Sequence, residues 1–221
     1  MWATRPTRCM VNQCYLADIQ EGSVAPPKTV LDATISNMLT ASATSRNIAR
    51  RLFLYDHAHV FSTSPDRAFE ILNDVCGHFS LPFSAVRFVG SAQLGYSYFK
   101  SRDFQIKQSD LDVGIISSVM FQKYSEYVYS LTSGYTDQSK FPLKEGVSTV
   151  RAFRDSLSMG FFRPDLMPHS PQRELWFKYF NTLSNKHVDL FKNINAGLYL
   201  SECFFEMKNS SVVNEYKKGK K

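Results

Sequence analysis

Apolar residues recur at three- and four-residue steps in some stretches of the chain and at two-residue steps in others, and these two periods mark helices and strands. Ser64 is an N-cap residue followed by Pro65 at a first helical position, and Phe69, Leu72, Val75, Cys76 and Phe79 then form one stripe that stops at Leu81-Pro82. Met120, Tyr124, Tyr127, Val128 and Leu131 space out a second helix. Ser170-Pro171 repeats the capped start, and Leu175, Trp176, Tyr179, Phe180 and Leu183 give a third. A further helix is expected to open on Ile48, Leu52 and Leu54, and a C-terminal one to run through Leu200, Phe204 and Met207. Short apolar runs at 85–89, 111–116 and 187–191 read as strands.

Between 132 and 168 the chain carries Gly134, Pro142, Gly146, Gly160, Pro164 and Pro168, so loops are expected, with one short strand near 147–153. Residues 1–45 mix small, polar and proline positions without a sustained period and read as an N-terminal arm. Residues 46–221 then form one domain, closed by a C-terminal helix and a basic tail at Lys217, Lys218, Lys220 and Lys221. The expected class is α/β (α+β), a small mixed sheet backed by helices.

Composition narrows the partners. Hydrophobic residues at 43% and charged residues at 21% are ordinary globular usage, so a packed core is expected rather than disorder. The net charge of +6 favours anionic partners, nucleotides or nucleic acid among them. Cys9, Cys14, Cys76 and Cys203 form no CxxC pair, which argues for reduced thiols and a cytoplasmic protein. Arg5 and Arg8 are followed by no apolar run of signal length, and Asp18 and Glu21 are foreign to a transit peptide. No stretch approaches the roughly 20 apolar residues of a membrane span, so no membrane partner is expected.

The chemistry gathers in residues 88–116, FVGSAQLGYSYFKSRDFQIKQSDLDVGII. Side chains alternate faces along a strand, so Asp110 and Asp112 point the same way, their Cα atoms about 6.6 to 6.8 Å apart, while Leu111 and Val113 point to the core. Two carboxylates on one face repel, and a hard cation such as Mg²⁺, which brings its own phosphates, removes that cost. Gly90 and Ser91 close the preceding strand, where a glycine lets backbone approach a phosphate and a serine donates from N–H and hydroxyl. Gly95 leaves room in the same loop.

The sequence G-S-x-x-x-G followed by S-D-L-D-V, residues 90–95 and 109–113, resembles the signature of the nucleotidyltransferase superfamily, with its DNA polymerase β-like fold. The motif covers roughly 85–116 and the fold-level likeness 64–195; the stretch 98–108 is longer than in compact members. That spacing, with Phe161-Phe162-Arg163-Pro164-Asp165 downstream, is similar to minimal bacterial nucleotidyltransferase-domain proteins. The resemblance implies two metal-binding aspartates on one strand and a third acid on a neighbouring one. Asp189, inside Val188-Asp189-Leu190, is the candidate third acid, with Asp165 ranked next and Asp103 also weighed.

On this mapping Asp110, Asp112 and Asp189 are the catalytic and metal-binding residues, with Mg²⁺ as cofactor and Mn²⁺ as its substitute. Gly90, Ser91, Gly95, Ser109 and Arg163 bind the nucleotide, ATP being the default triphosphate. The expected reaction moves a nucleoside monophosphate from a triphosphate to a hydroxyl on a protein, an RNA end or a small molecule, releasing pyrophosphate. The short stretch after Asp189 fits a minimal transferase better than a processive polymerase. The rival from another class is an inactive nucleotide- or RNA-binding module of the same fold, acting as sensor, antitoxin or subunit. His57 and His59 read as surface or packing residues, and the aromatic run at 121–129 as core.

Overall fold

A computed structural model describes residues 27–220. In chain order the elements are α1 (Pro27–Thr40), α2 (Ser45–Arg50), α3 (Pro65–Phe79), β1 (Val86–Val89), α4 (Gly90–Leu94), β2 (Tyr96–Ser97), β3 (Arg102–Asp103), β4 (Leu111–Ile116) and α5 (Ser118–Leu131). They continue as β5 (Leu143–Lys144), β6 (Val147–Ser148), α6 (Val150–Ser158), β7 (Phe161–Phe162), α7 (Pro171–Lys186), β8 (Ile194–Tyr199), α8 (Glu202–Asn209) and α9 (Ser211–Lys218). α2 runs on into one π-helical turn at Arg51–Tyr55. The molecule is mixed α/β, a small mixed sheet backed by helices, as the periodicities lead one to expect.

The sheet has the order β1-β4-β8-β7, with β4 and β8 parallel and both outer strands antiparallel to their neighbours. Period-two alternation explains how it is covered. Leu111, Val113 and Ile115 of β4 and Ile194 and Leu198 of β8 face the larger core, where α3, α5, α6 and α7 contribute Ile71, Val75, Phe121, Phe153, Trp176 and Phe180. Val89 and Tyr199 belong to a second core on the other side, with Leu31 and Ile35 of α1, Ile48 of α2, Phe205 of α8 and Val212 and Val213 of α9. That core is tied by Glu206 of α8, 1% exposed, which accepts hydrogen bonds from Arg46 at 2.8 Å and from Arg50.

Several sequence expectations are corrected. Residues 27–40 of the expected arm form a helix that buries Leu31 and Ile35, so the apolar residues there do have a face to pack. Residues 1–26, with Cys9 and Cys14, lie outside the described residues. The buried stripe of α3 runs through Ile71, Val75 and Cys76, while Phe69 is 60% exposed and packs on Phe83. The region 147–153 yields only the two-residue β6 before α6 begins. Residues 187–191 are not a strand: His187–Leu190 is a turn after α7, and the strand starts at Ile194. Asn195 and Gly197 dilute the β signal of Ile194-Asn195-Ala196-Gly197-Leu198-Tyr199, although Ile194, Ala196 and Leu198 keep the two-residue step. No helix among the described residues is long and apolar enough to cross a membrane.

Candidate functional site

β1 ends at Val89, whose register partner on β4 is Asp112. The next residue, Gly90, therefore lies against the Asp112 carboxylate. Its φ is +70°, and a Cβ at this position would stand 2.7 Å from Asp112 Oδ2. Both facts demand glycine: the left-handed backbone strains other residues, and the space belongs to the carboxylate. Gly90 also opens α4, whose first turn holds Ser91.

Asp110 immediately precedes β4, and its Oδ1 accepts a hydrogen bond of 3.0 Å from Asn193 Nδ2. Segments 109–111 and 192–194 close on each other through Lys192 N to Ser109 O at 3.0 Å and Leu111 N to Asn193 O at 2.8 Å. The two aspartates thus sit side by side at the start of the central parallel pair. Asp112 is open to solvent from the cleft but crowded by protein, and burial first, then the Asp110 charge, pushes its carboxyl up to about 6, with Lys100 pulling the other way.

The parallel register sets Asn195 of β8 beside Asp112 of β4, side chains on the same face. β7 pairs with β8 only at Leu198 and Tyr199, so among the described residues no strand covers the outer side of β8 at Asn195–Gly197, and a cleft of about 590 Å³ opens there. Gly90, Asp112 and Asn195 lie on its wall, with Arg163 and Asp165 beyond β7 and Lys208 of α8. Trp176, Phe177 and Phe180 of α7 supply an aromatic side. Phe99, between β2 and β3, reaches the wall as well, so the long 98–108 spacing is a hairpin that brings an aromatic ring to the cleft.

The residues singled out in the sequence divide into two groups. Asp110, Asp112 and Gly90 come together, and of these Gly90 and Asp112 share the cleft wall with Arg163, which Asp165 holds through hydrogen bonds of 3.1 and 2.6 Å, while Asp110 and Ser91 stand just off the wall. Asp189 does not join them. It sits in the turn after α7, 57% exposed, with its carboxylate on Arg67 of α3 at 2.6 Å, and it is not on the cleft wall. The strand assumed to carry it was misplaced, so the place beside Asp112 falls to Asn195. Gly95 also lies off the wall; it ends α4 at φ +77°, where a Cβ would stand 2.6 Å from Pro27 and 2.7 Å from His59. Ser109 is a turn residue, its Oγ accepting from Gln105 N at 3.1 Å.

The donor set at the strand start suits a hard divalent cation: two adjacent carboxylates, the side-chain oxygen of Asn195, and a glycine where a Cβ would obstruct the carboxylate. Asn195, Lys208 and the α7 aromatics were missed in the sequence, although a polar residue inside the Ile194/Ala196/Leu198 alternation was a usable signal for the first. Comparison with protein-family models, curated proteins and solved structures finds no match for this chain.

Proposed function

We propose that the cleft binds a nucleoside triphosphate with a divalent cation at Asp110 and Asp112, in a polymerase β-like nucleotidyltransferase arrangement, and that it transfers the nucleoside monophosphate to an acceptor hydroxyl. The observation that carries this reading is the close approach of Gly90 to the Asp112 carboxylate, with Asp110 two residues away and the cleft in front. Asp110 and Asp112 would hold the Mg²⁺, which would offset triphosphate charge and lower the pKa of the attacking hydroxyl. The chain's own residues do the rest. Gly90 makes room for the Asp112 carboxylate at the cleft wall, with Ser91 next to it in the first turn of α4. Arg163 and Lys208 offer positive charge on the cleft wall, and Trp176, Phe177 and Phe180 give the base an apolar side. In the reaction the bond from the α-phosphorus to the bridging oxygen breaks, the acceptor oxygen bonds to that phosphorus, and pyrophosphate leaves. Asn195 can orient a ligand but cannot take a proton, so the acceptor proton goes to Asp165 or to solvent.

Asn195 favours a second reading, in which the chain binds the triphosphate without turning it over. One experiment separates the two. The purified chain is incubated with each α-labelled nucleoside triphosphate, Mg²⁺ or Mn²⁺ and a cell extract, and nucleotide binding is measured in parallel by calorimetry. Label moved to a macromolecule or small molecule, and lost in Asp112→Asn, supports transfer. Binding lost in Asp112→Asn with no label moved supports the binding module. No binding in the wild type overturns both.

A further inference from the structure

His187, in the turn after α7, is a fully enclosed polar side chain. It is 0% exposed, and neither ring nitrogen has a hydrogen-bond partner among the described residues. A buried imidazole with both nitrogens unanswered is costly and asks for a ligand. Glu70 and Asp74 stand one helical turn apart on α3, on one face. One ligand atom from each of Glu70, Asp74 and His187 can be chosen so that all three lie within 4.8 Å of one another.

Lys186, the last residue of α7, now answers the two carboxylates at 2.7 Å and 2.9 Å. It makes no hydrogen bond to His187, although a neutral imidazole has one nitrogen that could accept from it. We propose that Glu70, Asp74 and His187 form a divalent transition-metal site, with Zn²⁺ the best fit, that fastens α3 to the turn between α7 and β8. One imidazole nitrogen and two carboxylate oxygens are a borderline donor set that suits Zn²⁺, whereas Mg²⁺ prefers oxygen alone. With metal–ligand bonds of about 2.0 to 2.2 Å, a tetrahedral site needs ligand atoms roughly 3.3 to 3.6 Å apart. The half-exposed Glu70 and Asp74 supply that adjustment by side-chain rotation, and Lys186, 48% exposed, withdraws into water. Water takes the fourth position. This site is independent of the cleft and of the function proposed for it.

The test uses the full chain carrying Asp110→Asn and Asp112→Asn, so that no cleft carboxylate contributes. Calorimetric titration with Zn²⁺ is expected to give a site of micromolar or tighter affinity that Mg²⁺ at millimolar concentration leaves unfilled. Co²⁺ in its place gives a visible band without thiolate charge transfer, which excludes Cys76 and Cys203 as the ligands. Asp74→Asn and Glu70→Gln, both on the helix surface, each weaken Zn²⁺ at least about tenfold, and Lys186→Met, which removes the competing charge, tightens it. His187→Gln removes the Co²⁺ band; if that variant fails to fold, the two helix variants decide. The proposal is overturned if Zn²⁺ does not bind, if Asp74→Asn and Glu70→Gln bind it as the parent does, or if Lys186→Met weakens it.

Discussion

Asp112 and Glu206 are both carboxylates crowded by protein on the same side of the sheet, and they are handled in opposite ways. Burial pushes Glu206 up as it does any acid, but Arg50 and Arg46 outweigh it and hold the carboxyl below its ordinary value. Asp112 meets burial and the charge of Asp110 together, opposed among the described residues by Lys100 alone, and rises to about 6. One acid is satisfied by its own chain and clamps α2 to α8. The other is left with an electrostatic cost of the kind that an external cation would relieve. Low local dielectric makes both conditions matter, which is why a paired buried acid reads as architecture and an unpaired one facing a cleft reads as a binding site.

The largest effect expected from this contrast is on the clamp. Glu206→Ala removes the partner of two arginines that can still reach water, so the loss lies at the low end for a buried ion pair, about 3 kcal/mol. In a chain of this size that lowers the melting temperature by roughly 6 to 12 °C. A calorimetric melt equal to wild type would remove the structural role assigned to Glu206.

Asp112→Asn is expected to leave the metal-free protein at pH 7 as stable as wild type or more so, since it deletes a repulsive charge at constant volume. The same variant loses the stabilisation that Mg²⁺ and triphosphate confer, about 2.7 kcal/mol at a ligand concentration 100 times the dissociation constant. A variant that is less stable without ligand, yet still gains from Mg²⁺ and triphosphate, would place Asp112 on the architectural side of the comparison.

Gly90→Ala sharpens the same point from the other strand. A residue with a Cβ at φ +70° costs about 1 to 2 kcal/mol, and this Cβ would crowd Asp112 Oδ2. Both thermal stability and Mg²⁺-triphosphate affinity should fall; intact affinity would mean that the close approach has no part in binding.

The two acids also give opposite pH signatures. For Asp112 the folded carboxyl titrates near 6, above its unfolded value of 3.8, so its contribution to stability is full below 3.8 and is lost as pH rises through about 6. For Glu206 the folded value lies below 4.5, so its contribution is present above 4.5 and is lost as pH falls through the folded value. Melting curves from pH 7 to 5 should therefore show wild type gaining on Asp112→Asn. Below pH 4 wild type should lose its advantage over Glu206→Gln. Parallel curves across both windows would dissolve the distinction.

The smallest effect is expected at Asp189. Its ion pair with Arg67 is largely exposed, and such pairs contribute about 0 to 1 kcal/mol. Asp189→Asn should bind triphosphate as wild type does. A large loss of nucleotide affinity there would restore Asp189 to the site and unseat Asn195.

How much was legible follows from which interactions are local. The β4 strand and the nearness of its Asp112 to Asp110, the residue just before it, could be read directly, because alternation and spacing lie within a few residues. So could the Ser-Pro starts of α3 and α7, although the side-chain cap forms only in α7, where Ser170 Oγ accepts from Arg173 N at 3.3 Å, and Ser64 makes no such bond. The buried faces were less legible: Phe69 and Leu175 obey the helical step and remain exposed, since a stripe of the right period does not say which side a neighbour covers.

By itself the sequence determined the class of elements, the two aspartates at a strand start, the glycine that follows the preceding strand and the basic balance, all set by local periodicity and residue chemistry. Only the tertiary structure decided which residue stands beside Asp112. Strand register is a pairing between segments some 80 residues apart, and a shift of the assumed strand from 187–191 to Ile194–Tyr199 exchanges a carboxylate, Asp189, for an amide, Asn195. The same long-range packing joined Glu206 to Arg46 and Arg50, and set Glu70 and Asp74 of α3 against His187 of the turn after α7. No local pattern encodes such meetings, because they arise when helices far apart in the chain bury their faces on one sheet.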